Sequence, residues 1–251
     1  MHKKAIEFYR KHLIIGGMPA SINAFMKNNK LIDVPNIQNE ILNNYIADMA
    51  KYANPSESVK IRACYNSIPA QLGKENKKFQ YKIVQKGGTS STFGVSIEWL
   101  TFAGVVLKCQ KTEQGFDPIA VYSDLSSFKL YMVDIGLLVI KSGLSHQTIL
   151  SGGDSNFMGA VTENYVAEQL VSKGDTLYYW QSNYSAELDF VLQRESIIYA
   201  IEVKKGEHTK SKSLNVFTSK YKSTKDIRFS LENFGETDKV KSIPLYAIFC
   251  L

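Results

Sequence analysis

The stretch AELDFVLQRESIIYAIEVKKG, from Ala186 to Gly206, reads as two strands joined by a short polar turn. Side chains alternate across a strand, so Leu188, Phe190 and Leu192 share one face and Glu187 and Asp189 the other. On the second strand Ile201 and Val203 oppose Glu202 and Lys204. A turn centred between Glu195 and Ser196, inside the polar QRES segment, sets Asp189 opposite Glu202. Cross-strand neighbours stand about 5 Å apart, close enough for two carboxylates to share one divalent ion. The competing reading is a plain sheet face on which Glu202 and Lys204 are solvated charges.

The flanking sequence extends this hairpin into a domain. After the loop SGGDSN, the segment FMGAVTENYVAEQLVSK has helical spacing and TLYYW reads as a strand. The hairpin follows, then a helix in SKSLNVFTSKYKS and strands in DIRFSL and IPLYAIFCL, an order of α-β-β-β-α-β-β. Tyr178, Tyr179 and Trp180, on a central strand, are expected in the core. Upstream, residues 1–54 read as helical, broken at GGMP. Residues 55–144 begin with an N-cap signal in NPSES and run through short helices to TSSTFGVSIEWLTFAG and the strand-like VVLKCQ. Short helices leading into a strand match a winged helix-turn-helix. In SSFKLYMVDIGLLVIKSGL, Phe128, Leu130, Met132, Leu137 and Leu138 are expected in the core. The predicted fold class is therefore α+β or α/β and multi-domain: a helical segment (1–54), a winged-helix-like domain (55–144) and an αβββαβ domain (145–251).

Composition narrows the function classes. Of 251 residues, 44% are hydrophobic and 22% charged, which is enough apolar material for a sizeable core. No run approaches the ~18 apolar residues of a membrane span, and MHKKAIEFYRKHL lacks the apolar core and cleavage site of a signal peptide. Cys64, Cys109 and Cys250 are scattered and form no CxxC pair, arguing for a reducing compartment and against a zinc site. His2, His12, His146 and His208 show no ligand spacing. The expectation is a soluble cytoplasmic protein.

The net charge of +6 is uneven: residues 1–140 hold 17 Lys or Arg against 11 Asp or Glu. The densest basic run, Lys60 to Lys86, makes Lys74, Lys77, Lys78, Lys82 and Lys86 candidate phosphate contacts beside the winged helix. A second basic run spans Lys204 to Arg228. Either is equally readable as a solvated lysine-rich surface.

Asp189 and Glu202, with the intervening main-chain carbonyl of Val203, form a donor set suited to Mg²⁺, which accepts few carboxylates and keeps several waters. Lys204 shares the Glu202 face and is placed to orient a water or offset transition-state charge. Glu163, on the helix preceding the three strands, is a candidate supporting acid. Glu187 reads as a sheet-surface charge.

Asp189, twelve residues and then EVK resemble the PD-(D/E)XK nuclease signature, and the strand order resembles that superfamily's core. Leu188 stands where the signature has proline. A longer set of motifs resembles the prokaryotic DUF4143 family of AAA-type ATPases: GGMP, IPAQLGKENKKFQY, EWLTFAGVV, FKLYMVDIGLL, GAVTENYVAEQL, YYW and ELDFVL…IEVKKG. The resemblance implies a P-loop core before this region, then a winged helix and a nuclease-like C-terminal domain. No G-x-x-x-x-G-K-[ST] occurs here, since GGTSSTFG and SGGDSNFMG lack the lysine. No nucleotide site or ATPase activity is therefore expected, and the chain starts where that core would be ending, as a shortened or stand-alone form. Two functions stand open: Mg²⁺-dependent cleavage of DNA, or a non-catalytic DNA- or protein-binding module on a nuclease-like fold. A decayed fragment without activity is the third.

Overall fold

GGMP forms the corner between the first two helices. In the computed structural model, which describes residues 1–182, 186–206, 212–221, 224–237 and 239–251, helix α1 (His2–Ile15) ends at this motif and Pro19 starts α2 (Pro19–Asn28). Gly16 adopts φ +72°, a backbone region that favours glycine. A Cβ at Gly16 would also lie 2.3 Å from an oxygen of Asp134. The Asp134 carboxylate accepts from the Gly17 backbone N–H at 2.6 Å and from that of Leu137 at 2.8 Å. It thus caps its own helix while holding the α1–α2 corner. Buried Gln38 donates to the carbonyls of Ile14 and Ile15, satisfying the last turn of α1.

Helix α3 (Val34–Tyr52) is followed by α4 (Pro55–Leu72). The expected N-cap is realised: Asn54 accepts from the Glu57 backbone at 3.0 Å, and Pro55 occupies the first turn. A single turn, α5 (Tyr81–Val84), leads to α6 (Ser90–Phe102), which buries Phe93, Ile97 and Leu100. Then come β1 (Val106–Thr112), β2 (Ser123–Met132), α7 (Ile135–Ser142), α8 (His146–Ser151) and α9 (Met158–Val171). Phe128, Leu130, Met132, Leu137 and Leu138 are all buried, as the sequence predicts.

The remaining elements are β3 (Tyr178–Gln181), β4 (Glu187–Arg194), β5 (Ile197–Val203), α10 (Lys212–Lys220), β6 (Thr224–Ser230), β7 (Gly235–Glu236) and β8 (Val240–Pro244). Among the described residues eight strands form one mixed sheet in the order β2-β1-β3-β4-β5-β6-β8-β7. Pairing is parallel for β1–β3, β5–β6 and β6–β8, and antiparallel for β3–β4, β4–β5 and β7–β8. Against this sheet α10 packs Leu214 and Phe217 into a core with Trp180, Leu188, Val191 and Ala200. Trp180 and Phe217 meet edge to face at 5.1 Å. Tyr178, Tyr179 and Trp180 are thus core residues.

One strand expectation is corrected. IPLYAIFCL is not a strand throughout: β8 ends at Pro244 and Leu245–Cys250 winds into 3-10 turns. A short apolar run carries no period that separates buried strand from buried helix, so its shape is decided by packing.

The chain divides into two units that interleave in sequence. One comprises Met1–Tyr9, Lys108–Lys129 and Thr162–Leu251, and the other Arg10–Leu107 and Leu130–Val161. Among the described residues no helix is long and apolar enough to cross a membrane.

Candidate functional site

The hairpin of β4 and β5 has the register expected from its turn. Arg194 pairs with Ile197 and Phe190 with Ile201, so the turn is centred between Glu195 and Ser196. Glu195 takes φ +54° to close it. The pairing stops one step short of Asp189 and Glu202. There the Asp189 carboxylate accepts from the Val203 backbone N–H at 2.7 Å. A side chain thus serves a backbone donor where the ladder ends.

Glu202 is 4% exposed, and its carboxylate is shared unequally. Oε1 lies 2.8 Å from the Lys204 ammonium. Oε2 is buried with no hydrogen-bond partner among the described residues. A buried carboxylate oxygen left in that state is costly. On its other side β5 pairs with β6, where Glu202 stands beside Arg228.

Glu163 projects from α9 and is fully buried, but it meets a lysine that the sequence reading passed over. Lys129, in β2 between Phe128 and Leu130, places its ammonium 3.0 Å from Glu163 and 2.6 Å from Glu187. It also sits over the Tyr179 ring at 4.9 Å. Burial opposes the charge on Lys129, yet Glu163, Glu187 and Asp189 together hold its affinity for the proton well above the ordinary lysine range. Burial in turn raises the neighbouring Cys109 thiol, which stays protonated. Glu187 is half-buried, a charge at the sheet surface that also pairs with Lys129. The signal for Lys129 was present: a lysine inside an apolar strand is the same anomaly as Asp189 and Glu202.

The candidate nucleic-acid contacts lie elsewhere. Lys74, Lys77 and Lys78 sit in the connection between α4 and α5, Lys82 on α5, and Lys86 in the turn before α6. Lys74, Lys82 and Lys86 are exposed, and Lys77 and Lys78 half-buried. Buried Gln71 anchors this connection, its side-chain amide donating to the Gln80 carbonyl and accepting from the Gln80 N–H, both at 3.0 Å. Of the second basic run, Lys210 and Lys222 lie outside the described residues, as does His208.

Comparison with known proteins assigns both halves of the chain. Residues 158–248 match the family described as Domain of unknown function (DUF4143), in keeping with the resemblance of GAVTENYVAEQL and ELDFVL…IEVKKG. The earlier motifs, from GGMP to FKLYMVDIGLL, fall instead in a match over residues 6–148 to Domain of unknown function (DUF8612). No curated protein and no solved structure matches the chain. The chain belongs to the DUF8612 family and carries a DUF4143 domain in its C-terminal part.

Proposed function

We propose that the DUF4143 part is a nuclease-like domain of the PD-(D/E)XK type that cleaves DNA phosphodiester bonds with Mg²⁺. The observation that carries this reading is the buried, unpartnered Oε2 of Glu202, with Lys204 on its other oxygen and Asp189 held by the adjoining Val203 N–H. The order α9-β3-β4-β5-α10-β6 supports the fold assignment.

Among the described residues no three His, Cys, Asp or Glu side chains converge as a ready-made metal cage. Mg²⁺ does not need one: it is commonly held by one or two carboxylates and keeps its waters. The pair Asp189 and Glu202 fits that requirement, with Glu202 Oε2 as the donor lacking a partner. When bound, the ion supplies Lewis acidity toward a phosphodiester and lowers the pKa of a bound water. The chain's own residues do the rest. Val203 N–H fixes the Asp189 carboxylate, and Glu202 Oε1 fixes the Lys204 ammonium at the end of β5. From there Lys204 presents a positive charge to the phosphate and to the group attacking it.

On this reading the DUF8612 part of the chain supplies further DNA contacts. The order α4-α5-α6-β1-β2 supports a winged helix, and Lys74, Lys77, Lys78, Lys82 and Lys86 give it a basic margin. A second reading is favoured by one specific feature: Lys129 already pairs with both Glu163 and Glu187, as in a site that has become structural. On that reading the protein is a non-catalytic DNA- or protein-binding module.

The deciding experiment is cleavage of linear, single-stranded and branched DNA with Mg²⁺ or Mn²⁺, comparing wild type with Asp189→Ala and Lys204→Ala. Metal-dependent cleavage lost in both variants supports the nuclease. No cleavage by wild type, with no metal binding in calorimetry, removes it; retained DNA binding with a steep salt dependence then supports the module.

A further inference from the structure

The Lys129 ammonium is fully enclosed and touches two carboxylates that come from different parts of the chain, Glu163 of α9 and Glu187 of β4. A buried ammonium without such partners would be expelled or neutralised, so these contacts are what keep it charged. Without the ammonium, Glu163 and Glu187 would be left as a pair of carboxylates close enough to hold a divalent ion between them. A metal bridging Glu163 and Glu187 would stand within a few ångströms of the ammonium, where repulsion between a divalent and a monovalent cation is severe at low dielectric.

We propose that Lys129 is a built-in cation occupying the place of a second metal ion, so that the site takes a single divalent ion on Asp189 and Glu202. Glu163 and Glu187 are then partners of Lys129 rather than metal ligands. This rests on the metal-dependent reading above, and the two can fail separately. The independent pointer to an ion is the unpartnered Oε2 of Glu202, which lies outside the ion pairs of Lys129. Lys129 is a positioning residue: it sets how many metal ions the site accepts and touches no reacting atom.

The test is Mn²⁺ stoichiometry by calorimetry on the intact chain, checked by metal analysis of protein purified in Mn²⁺ and gel-filtered. Wild type is expected to bind one ion, with Glu202→Gln weakening it by about 100-fold or more. Lys129→Met is expected to bind a second ion and to show a larger rise in melting temperature with Mn²⁺ than wild type. Should Lys129→Met fail to fold, the double variant Lys129→Met/Glu163→Gln, which removes one charge of each sign, carries the test. It is expected to bind one ion at wild-type affinity. Two ions in wild type, or loss of the ion in the double variant, overturn the proposal, as does a folded Lys129→Met that still takes one. No ion in wild type but one in Lys129→Met removes the nuclease reading and leaves Lys129 as the built-in cation. No ion in either removes both.

Discussion

Asp134 holds Gly17 by a backbone hydrogen bond of 2.6 Å across 117 residues of sequence, while its other oxygen caps α7 at Leu137. Hydrogen bonds to a charged group are each worth about 1.5–3 kcal/mol. Asp134→Ala is expected to lower stability by about 3 kcal/mol, read as a shift in the urea midpoint at unchanged slope. Gly16→Ala should cost about 2 kcal/mol or more, since its Cβ would overlap the Asp134 carboxylate at a positive φ.

The same carboxylate gives stability a pH dependence. Burial raises the Asp134 pKa above 3.8 despite the backbone N–H groups and the nearby His12, which act the other way. The folded state thus keeps this proton to a higher pH than the unfolded chain. Its contribution is fully present below the ordinary carboxyl value and is lost as pH rises through the raised one. The stability of wild type relative to Asp134→Asn is expected to fall as pH rises from 3.8, as denaturation curves over a pH series would read. A difference that rises with pH contradicts the burial argument.

The Gln71 side chain makes two hydrogen bonds to the Gln80 backbone and so ties the lysine-bearing connection between α4 and α5 to the end of α4. Gln71→Ala is expected to cost about 2 kcal/mol, since the Gln80 N–H loses its acceptor and the Gln80 carbonyl keeps only Ile83 N–H. Amide exchange should accelerate from Lys74 to Tyr81 more than in α3.

If Lys74, Lys77, Lys78, Lys82 and Lys86 meet phosphates, replacing them with glutamine reduces the dependence of DNA affinity on salt. Each phosphate contact removed lowers the slope of log K against log salt by about 0.9 on duplex DNA. An unchanged slope in filter binding assigns this cluster to the solvated surface.

The cysteines report burial chemically. Burial pushes the Cys64 thiol up to about 12, and Cys109 is raised by the same cause, while Cys250 is exposed. Because thiolates are the reactive form, iodoacetamide at about pH 8 is expected to label Cys250 alone in the native protein and all three after unfolding.

The local features of the candidate site were legible because their causes are local. Strand alternation put Asp189 and Glu202 on one face, and the polar turn fixed the register that the structure has. The pairing of Lys129 with Glu187 and Glu163 was not legible, because the partners come from distant segments. Alternation tells which face a residue occupies, and whether that face is wet depends on what packs there. The C-terminal apolar run failed for a related reason: a short run such as IPLYAIFCL has no polar positions to set its period, and here it leaves the strand after Pro244.

The parallel pairing of β1 with β3 sets Gln110 beside Tyr178. During synthesis β1 and β2 leave the ribosome well before β3, with α7, α8 and α9 in between. Until β3 arrives, one edge of β1 offers open backbone groups to any passing strand. The sheet closes late, through contacts of long sequence separation, which slows folding and lengthens the exposure of nascent chains. Production of this protein is therefore expected to be more sensitive to translation rate and chaperone supply than its composition suggests.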